Sequence, residues 1–441
     1  MPDVSLPADQ PTGQPPTAVH PVRHEIDADV KPGRTISRVS AGFISRYVLA
    51  YMAACLLFLA PLLVTLPLKI NALVGTAQAP NSLALVTGLG ALLSVFANPL
   101  IGRLSDRTSS RFGMRRPWMV IGVLGGSGAV VIVALAPNVA VVLVGWCLAQ
   151  LFFNAVLAVM VAVLPDQVPT VQRGLVSGVL GVCLPVASVT GTFLVQLVAG
   201  QMLAMFMIPC AVSGLLILVF AATLKDRRLA VADRPAWSLP EFASTFYVNP
   251  RRNPDFAWAF VSRFMFVLAY AFLATYQAYY LLFRLGSTET QVAHQIFVGT
   301  VVQSGFLIAA SLIGGKLSDR TGRRKVFVVG ASVVYGLAMF VIAIAGDFNG
   351  FLIGLAIGGL GFGVYMAVDL ALVADVLPDN VNTAKDLGVF NIAGALPSSI
   401  APAIAPAILA ISHGSYGVLY VVAGVCAISG AAAILPVKRV R

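Results

Sequence analysis

The sequence predicts an all-α membrane protein whose twelve transmembrane helices form two pseudo-symmetric six-helix bundles. Three observations carry this prediction. The 441 residues are 58% hydrophobic and only 11% charged, whereas a soluble domain carries about 25% charge. Apolar stretches long enough to cross ~30 Å of hydrocarbon recur along the chain. The chain also contains an internal repeat, with matching segments 213 to 217 residues apart.

Each apolar stretch is predicted to be helical, because backbone groups inside hydrocarbon have no water to bind. The two bundles are predicted at 41–224 and 255–436, with a polar cytoplasmic linker at 225–254. Short tails precede and follow them, at 1–40 and 437–441. The first tail is rich in Pro, Asp and Thr, has no signal-peptide pattern and is predicted to be disordered. The twelve stretches lie at 43–68, 82–102, 118–137, 140–164, 174–199, 203–224, 255–283, 293–315, 326–346, 349–377, 387–411 and 414–436.

The net charge of +11 reports topology and does not indicate nucleic-acid binding. Of the 29 Lys and Arg residues, 25 lie in the tails or in the loops that follow even-numbered spans; the others are Arg46, Lys69, Arg263 and Arg284. Basic loops stay on the cytoplasmic side, so both termini are expected in the cytoplasm of a multi-pass cell-membrane protein. No basic surface is interleaved with the stacking aromatic groups that nucleic-acid binding uses.

The internal repeat consists of three matched segments in the same order. FISRY at 43–47 matches FVSRF at 260–264, and GRLSDRT at 102–108 matches GKLSDRT at 315–321. LPDQV at 164–168 matches LPDNV at 377–381. Each pair stands at the same point of a six-span block. Because six is an even number, the two blocks are expected to cross the membrane in the same orientation.

The second charged segment, GKLSDRTGRRK at 315–325, resembles the loop between spans eight and nine that characterises the major facilitator superfamily. Its counterpart at 102–118 is longer and reads SDRTSSRFGMRRPW after Leu104. This longer form resembles the corresponding loop of sucrose transporters and of glycoside–pentoside–hexuronide cation symporters. Parallel six-helix repeats are one architecture of secondary transporters. The resemblance implies transport by alternating access, without a cofactor.

The resemblance also implies that the two charged segments gate the cytoplasmic side. Asp106 and Asp319 are expected where a helix meets the cytoplasm. A carboxylate there can pair with arginine and face the positive end of a neighbouring helix, while Gly102 and Gly315 would permit close helix approach. The alternative is a plain topology anchor, which explains neither the aspartates nor the glycines. The basic members of the predicted gate are Arg107, Arg111, Arg115, Arg116, Arg320, Arg323, Arg324 and Lys325.

Asp369 and Arg263 are the charged residues expected deepest in the second bundle. An ionisable residue inside a membrane span is costly and marks a functional site. Burial raises the pKa of a carboxyl group and a nearby cation lowers it, so a buried carboxyl group can exchange protons near neutral pH. Proton coupling, a structural ion pair and direct substrate contact all remain open for this pair. For Arg263, snorkelling to the membrane surface is a further alternative.

Amide and tyrosine side chains within the spans predict a neutral, hydrogen-bonding and aromatic-walled substrate site. Amides of this kind also join helices to one another, and tyrosines also form belts at the membrane surface. Arg263, Tyr270 and Gln277 recur every seven residues, which places them on one helical face. The predicted substrate-binding residues are Gln150, Asn154, Tyr270, Tyr276, Gln277, Tyr280, Gln303 and Asn391.

These features predict a secondary transporter of a small organic solute. Proton- or sodium-coupled uptake of a sugar or glycoside is preferred, and proton-antiport efflux of a drug or metabolite is the alternative. A non-transporting receptor or scaffold is the alternative from another class. The five cysteines lie inside spans without metal-binding spacing, and no catalytic motif is present, so neither an enzyme nor a metal site is expected. The protein is expected to be monomeric in the lipid bilayer.

Overall fold

The computed structural model describes residues 38–229, 253–376 and 383–437. Most of the predicted tails, most of the linker and the repeat segment at 377–381 lie outside the described residues. Eleven helices of the described part are long and apolar enough to cross a membrane. The longest of them, Ala41–Asp106, spans 66 residues and contains a break, which resolves it into two crossings.

The break lies at Gly75, whose φ of 69° and ψ of 176° are not helical. A positive φ suits glycine, which has no Cβ to clash with the backbone. Before the break, the backbone of Val39 binds the side-chain amide of Gln172, near the start of the fifth span. The Val39 N–H donates to the amide oxygen, and the Val39 carbonyl accepts from the amide nitrogen. After it, Asp106 contacts Arg115 at the start of the third span. The chain therefore reverses near Gly75, and the predicted twelve crossings are confirmed.

The first half contains α1 (Ala41–Ala60), a π-helical turn (Pro61–Thr65) and α2 (Leu66–Asp106). It continues with α3 (Arg116–Leu135), α4 (Val139–Gln167), α5 (Thr170–Leu197) and α6 (Met202–Thr223). Helix starts follow local sequence: the side chains of Ser40 and Asn138 accept hydrogen bonds from the backbone of Phe43 and Val141. These N-caps satisfy amide groups that have no partner inside the helix.

The second half repeats this order. It contains α7 (Pro254–Tyr279), a π-helical turn (Tyr280–Arg284), α8 (Glu289–Thr321) and α9 (Arg324–Ile344). It ends with α10 (Phe348–Val376), α11 (Thr383–Ala395), α12 (Pro397–Ile411) and α13 (Tyr416–Ile434). α11 and α12 together form the eleventh span. Thr288 and Gln291 form a capping box at the start of α8, and Gly322 ends that helix with a φ of 64°.

Helix packing shows the pseudo-symmetry that the repeat predicts. In the first half α1 packs on α5 and α6, α2 on α4, and α3 on α4 and α6. In the second half α7 packs on α12 and α13, α8 on α10, and α9 on α10 and α13. Each pair in one half has its counterpart in the other. The halves meet through two equivalent contacts, α2 with α12 and α5 with α8.

The molecule has two ends, which we name by their loops. The basic end carries the loops at 107–115 and 322–323, and the far end carries Gly75 and the loops at 198–201 and 285–288. At the far end the halves are joined by Asn71, whose amide donates to Glu289 at 3.0 Å, and by Gln196, whose Oε1 lies 3.0 Å from His294 Nδ1. The Tyr279 hydroxyl donates to the Pro67 carbonyl at 3.2 Å. These contacts close the far end.

Candidate functional site

A cavity of about 490 Å³ lies between the two halves, in the size range of small-molecule sites. It is lined by α5 of the first half and by α7, α8 and α10 of the second, with Leu63 from the π-helical turn. Gly178 is the lining residue nearest the start of α5, eight residues or ~12 Å from the basic end of that helix. The cavity therefore extends from mid-height toward the basic end.

One wall of the cavity is polar. Gln277 of α7 and Thr300, Gln303 and Ser304 of α8 line it, together with the hydroxyl-bearing Tyr270. The side chains of Gln277 and Ser304 are buried. Amides and hydroxyls can both donate and accept hydrogen bonds, so this wall can bind an uncharged polar group. Tyr270, Gln277 and Gln303 were predicted from sequence to bind substrate, and the structure brings these three together.

The facing wall on α5 is apolar and is shaped by small residues. Gly178 and Gly181 add no side chain, and Val182, Leu184, Pro185 and Ser188 complete the surface. Proline has no backbone N–H, so it cannot donate to the carbonyl four residues before it. In α5 that carbonyl belongs to Gly181, which also lines the cavity. This wall is thus mostly hydrophobic, and its polar groups are the Ser188 hydroxyl, the Gly181 carbonyl and the Pro185 carbonyl, which accepts a hydrogen bond from Ser304 at 3.5 Å.

Tyr276 and Tyr280 do not line this cavity, which corrects the predicted site. Their side chains are fully buried. The Tyr276 hydroxyl donates to the carbonyl of Pro402 at 3.4 Å, and the Tyr280 hydroxyl donates to those of Ile342 and Ala345 at 2.6 and 3.0 Å. Both tyrosines thus pin α7 and its π-helical turn to neighbouring helices. Their spacing along α7 places them on faces other than that of Tyr270.

Gln150, Asn154 and Asn391 also lie off the cavity. The Asn154 amide donates to the backbone and side-chain oxygens of Gln150 at 2.8 and 3.2 Å. Asn98 of α2 donates to Asn154 at 3.4 Å, so the amides join α2 to α4. Asn391 of α11 has an exposed side chain. We therefore leave these three residues out of the proposed substrate site.

Arg263 and Asp369 form an ion pair between α7 and α10, in which Arg263 Nη1 binds Asp369 Oδ2. The carboxylate is 6% exposed and the guanidinium 14% exposed. The guanidinium also lies over the ring of Phe390, 4.9 Å from its centroid, and beside Gly394 of α11. A buried charge needs such partners, because its loss of hydration is otherwise uncompensated.

The ion pair is adjacent to the cavity without lining it. Arg263 stands seven residues before Tyr270 on α7, and Asp369 stands three residues after Met366 on α10. Tyr270 and Met366 both line the cavity. Two helices therefore carry the charged pair and part of the cavity wall together, so a change at one can move the other.

The charged segment at 102–118 folds around Arg115. This guanidinium binds Asp106 at 2.6 Å, Asp166 at 2.9 Å and the hydroxyl of Ser105 at 2.8 Å. Burial opposes the charge, but the hydrogen bonds and charges of Asp166 and Asp106 outweigh it and raise the pKa of Arg115. Asp106 thus pairs with arginine as predicted for a gate residue, but within its own half.

Asp226, just after α6, holds the same segment from its other side. Its carboxylate accepts hydrogen bonds from the backbone N–H groups of Arg115 and Arg116 at 2.7 and 2.9 Å, at the start of α3. A carboxylate is favoured there by the positive end of the helix. Gly113 makes this approach possible, because a Cβ at that position would overlap the Asp226 side chain, and its φ is 103°. Arg116 binds the carbonyls of Ala222 and Leu224.

The glycines of the two charged segments have different surroundings from those predicted. A Cβ on Gly102 would meet nothing within 4 Å, so this glycine makes no close helix contact in the present arrangement. A Cβ on Gly315 would lie 3.6 Å from that of Ala367, an ordinary contact. The tight position is Gly314, where a Cβ would lie 2.9 Å from Val364. The close helix approach predicted at Gly102 is therefore not made in this conformation, and its role in the gate stays a prediction.

The remaining members of the predicted gate lie at the basic end. Asp319, Arg320 and Arg323 have exposed side chains, and Arg111 stacks on Phe112 with its guanidinium 4.7 Å from the ring centroid. Lys325 donates to the carbonyl of Val437 at 3.0 Å. Arg107 and Arg324 are partly buried. Their role in gating stays a prediction.

Sequence reasoning assigned no role to Asp166, Asp226, Thr300, Ser304 or Tyr365. Asp166 stands in LPDQV, so its presence in the internal repeat was an available signal. Asp226 stands in the KDRR run of the linker, where nothing local distinguishes a capping carboxylate from a solvated one. Within the described ranges, no group of three His, Cys, Asp or Glu side chains is arranged to hold a metal ion.

Two curated proteins are similar to parts of this chain. The multidrug resistance protein MdtL of Klebsiella pneumoniae (strain 342) is 36% identical over 107 residues, which cover 24% of this chain and 26% of that protein. The tetracycline resistance protein, class E, of Escherichia coli is 30% identical over 156 residues, which cover 35% and 37%. The chain thus matches only about a quarter to a third of the length of these relatives.

Solved structures match over almost the whole chain. The nucleoside transporter NupG superposes with a TM-score of 0.72 at 12% identity, over 90% of this chain and 99% of that one. A D-xylose-proton symporter superposes with a TM-score of 0.70 at 14% identity, over 91% and 98%. At such low identity these matches show the fold. The family description "Major Facilitator Superfamily" matches residues 42–308 and again 260–441, and the chain therefore belongs to the Major Facilitator Superfamily, with the transporter fold predicted from its sequence.

Proposed function

We propose that this transporter moves an uncharged, amphipathic organic compound and couples its movement to protons through Asp369 and Arg263. The observation that carries the substrate class is the pair of unlike cavity walls. Gln277, Thr300 and Gln303 offer hydrogen bonds on one side, while α5 presents mostly glycine, valine, leucine and proline on the other, with the hydroxyl of Ser188 among them. A compound with one polar and one apolar face fits both walls at once.

The cavity favours this class over charged compounds and over free sugars. Its lining contains no ionisable acid or base, only the weakly acidic Tyr270, and a charged ligand would lose hydration there without gaining a partner. A free sugar carries hydroxyl groups around its ring, and those facing α5 would leave water for a mostly apolar surface. An uncharged drug or metabolite is therefore preferred as the substrate, and export is the direction that we propose for it. The names of the two resistance proteins that match parts of the chain support this choice.

A glycoside with an apolar aglycone is the second candidate. The polar row on α7 and α8 suits a sugar ring, and the apolar wall suits an aglycone. The resemblance of the segment at 102–118 to the sugar symporters adds to this candidate. The two candidates differ in the direction of coupled transport: a drug or metabolite would be exported, whereas a glycoside would be taken up.

The proposed coupling follows from the shared helices. Protonation of Asp369 removes the negative charge that holds Arg263, so α7 is released from α10 at that level. Because both helices line the cavity, its walls shift with the change. Because the halves are joined at the far end and the basic end is expected in the cytoplasm, we assign the present arrangement to a state open toward the cytoplasm. The charged segments at 102–118 and 315–325 would close that end in the alternate state.

Thermal stabilisation of the purified protein tests the substrate class. Chloramphenicol serves as an uncharged amphipathic compound, arbutin as a glycoside with an aromatic aglycone, D-xylose as a free sugar and ethidium as a cation. We expect chloramphenicol or arbutin to raise the melting temperature and Gln303→Ala to reduce that rise. Stabilisation by D-xylose or ethidium alone would contradict the proposed class. Transport of the stabilising compound in proteoliposomes, with and without a pH gradient, then tests proton coupling.

A further inference from the structure

A column of aromatic and hydroxyl side chains runs through the second half from the cavity to Asp369. On α7 it consists of Tyr270, Phe266 and Ser262, and on α10 of Phe362, Tyr365 and Asp369. Successive members on each helix are three or four residues apart, which places them on one helical face. Tyr270 and Phe362 line the cavity at one end of the column. Tyr335 of α9 packs between the two helices.

The rings of this column touch without interruption. The centroids of Tyr270 and Phe362 are 4.7 Å apart, and those of Phe362 and Tyr335 are 6.2 Å apart. Tyr335 lies 5.0 Å from Phe266, which stacks on Tyr365 at 3.6 Å. The Tyr365 hydroxyl then lies next to the carboxylate of Asp369. The cavity and the carboxylate are thus connected through side chains that all belong to one half.

Several buried polar atoms along this column lack a hydrogen bond of normal geometry to the part of the chain that the structure describes. The hydroxyls of Ser262, Tyr335 and Tyr365 are buried and make no hydrogen bond of normal geometry with the described residues, and neither does Arg263 Nε. The three hydroxyl-bearing residues are at most 1% exposed. An unsatisfied buried polar atom costs about 1–3 kcal/mol, and nearly all such atoms in folded proteins bind protein or ordered water. The Tyr365 hydroxyl lies beside Ser262 and Asp369, so the atoms left to bind ordered water are the Tyr335 hydroxyl and Arg263 Nε.

We propose that ordered water occupies this column at Tyr335 and that the hydroxyl of Tyr365, with Ser262 beside it, relays protons between the cavity and Asp369. In each step a water molecule that has accepted a proton from the cavity side gives a proton to the Tyr365 oxygen and returns to neutral water, while the proton of the Tyr365 hydroxyl passes to an Asp369 oxygen. One O–H bond breaks for each one that forms, and the phenol is regenerated. The return transfer runs in reverse. This inference rests on the proposed role of Asp369 as the coupling residue.

A direct route from the basic end to Asp369 is less favourable. The side chain of Asp369 is only 6% exposed, and Arg263, which binds it, lies over the ring of Phe390 of α11. A proton arriving past Arg263 would also meet a fixed positive charge. The column offers hydroxyl groups without such a charge, and it ends at the wall where the substrate is proposed to bind.

Time-resolved infrared spectroscopy of the purified full chain tests the relay without a substrate. Rapid acidification from a caged proton should produce a protonated-carboxyl band that Asp369→Asn removes. We expect Tyr365→Phe to keep the amplitude of this band but to slow its appearance roughly tenfold or more, because a positioned proton donor is lost. Ser262→Ala should slow it in the same direction and serves as the second variant if Tyr365→Phe does not fold.

The matched control is Tyr420→Phe. Tyr420 is also a fully buried tyrosine whose hydroxyl has no hydrogen-bond partner among the described residues, but its ring packs on Tyr280, which lies outside the column. This control should protonate Asp369 at the wild-type rate. A wild-type rate in both Tyr365→Phe and Ser262→Ala, or equal slowing in Tyr420→Phe, would overturn the relay. Absence of an Asp369 band in the wild-type protein would instead overturn the proposed coupling role, so the two failures are distinguishable.

Water itself is checked in the same samples. Exchange into H₂¹⁸O should shift O–H stretching bands of internal water, and Tyr335→Phe should change those bands. A spectrum in which no internal-water band depends on Tyr335, Tyr365 or Ser262 would contradict a hydrated column.

Discussion

The Arg115 guanidinium lies 2.6 Å from the Asp106 carboxylate, and both belong to the same short charged segment. Asp166 and Asp226 then attach this segment to α4 and to the start of the linker. A topology anchor needs only basic residues, so this arrangement of carboxylates requires another explanation. We infer that these contacts hold the segment at 102–118 rigidly on its own half. It then forms a fixed bracket, a surface against which the other half can close.

Arg115→Gln should destabilise the first half. The variant removes ion pairs to Asp106 and Asp166, and their carboxylates are exposed enough to regain water. We therefore expect a loss of about 1–3 kcal/mol in the free energy of unfolding, measured as a lower melting temperature in detergent. Arg111→Gln is the control, because Arg111 is an exposed residue of the same loop. Equal melting temperatures in both variants would argue against the bracket.

Gly113→Ala should have a larger effect than its small change in size suggests. The new Cβ would overlap the Asp226 carboxylate, and the φ of 103° is unfavourable for alanine. Loss of the cap on α3 and the backbone strain should each cost about 1–2 kcal/mol. The melting temperature of Gly113→Ala reports the sum. If Asp226→Asn in the wild-type background and Gly113→Ala each melt as the wild type does, the capping interaction is not important for stability.

Gly102→Ala separates stability from gating. Because a Cβ at this position meets nothing within 4 Å, alanine should leave the melting temperature unchanged or raise it slightly, by up to about 1 kcal/mol from helix propensity. If the halves approach at Gly102 in the alternate state, Gly102→Val should slow transport in proteoliposomes while the protein stays stable. Normal transport by Gly102→Val would show that this glycine is not part of the closing surface.

Gln277→Ala and Asn154→Ala should have opposite consequences. Gln277 lines the cavity, so its loss should weaken binding of the transported compound by about 1–3 kcal/mol and leave stability nearly unchanged. Asn154 joins α4 to Asn98 of α2, so its loss should lower the melting temperature and leave the affinity unchanged. Calorimetric titration and thermal melting of the same samples measure both quantities. A loss of affinity in Asn154→Ala would return this residue to the substrate site.

The contrast between Gln277 and Asn154 shows how far sequence could predict this protein. Twelve spans, two halves and their relative orientation follow from hydropathy and the repeat, because those patterns reflect the bilayer directly. The face that a polar side chain presents is harder to predict. Tyr276 and Gln277 are neighbours on α7, yet the Tyr276 hydroxyl donates to a backbone carbonyl of α12, whereas the Gln277 amide lines the cavity. Helix rotation decides this, and rotation depends on packing against other helices.

Asp369 and Arg263 should behave as one electrostatic unit. Their side chains form a buried ion pair between α7 and α10. Removing one partner leaves an uncompensated buried charge and should cost about 3–5 kcal/mol, whereas removing both can be nearly neutral. Asp369→Asn and Arg263→Gln should therefore each lower the melting temperature, and the double variant should melt above either. If Asp369 carries the coupled proton, the double variant will exchange substrate across a proteoliposome membrane but will not accumulate it in response to a pH gradient. Strictly additive losses in the melting cycle would show that the pair does not act together, and accumulation driven by a pH gradient in the double variant would remove Asp369 from the coupling mechanism.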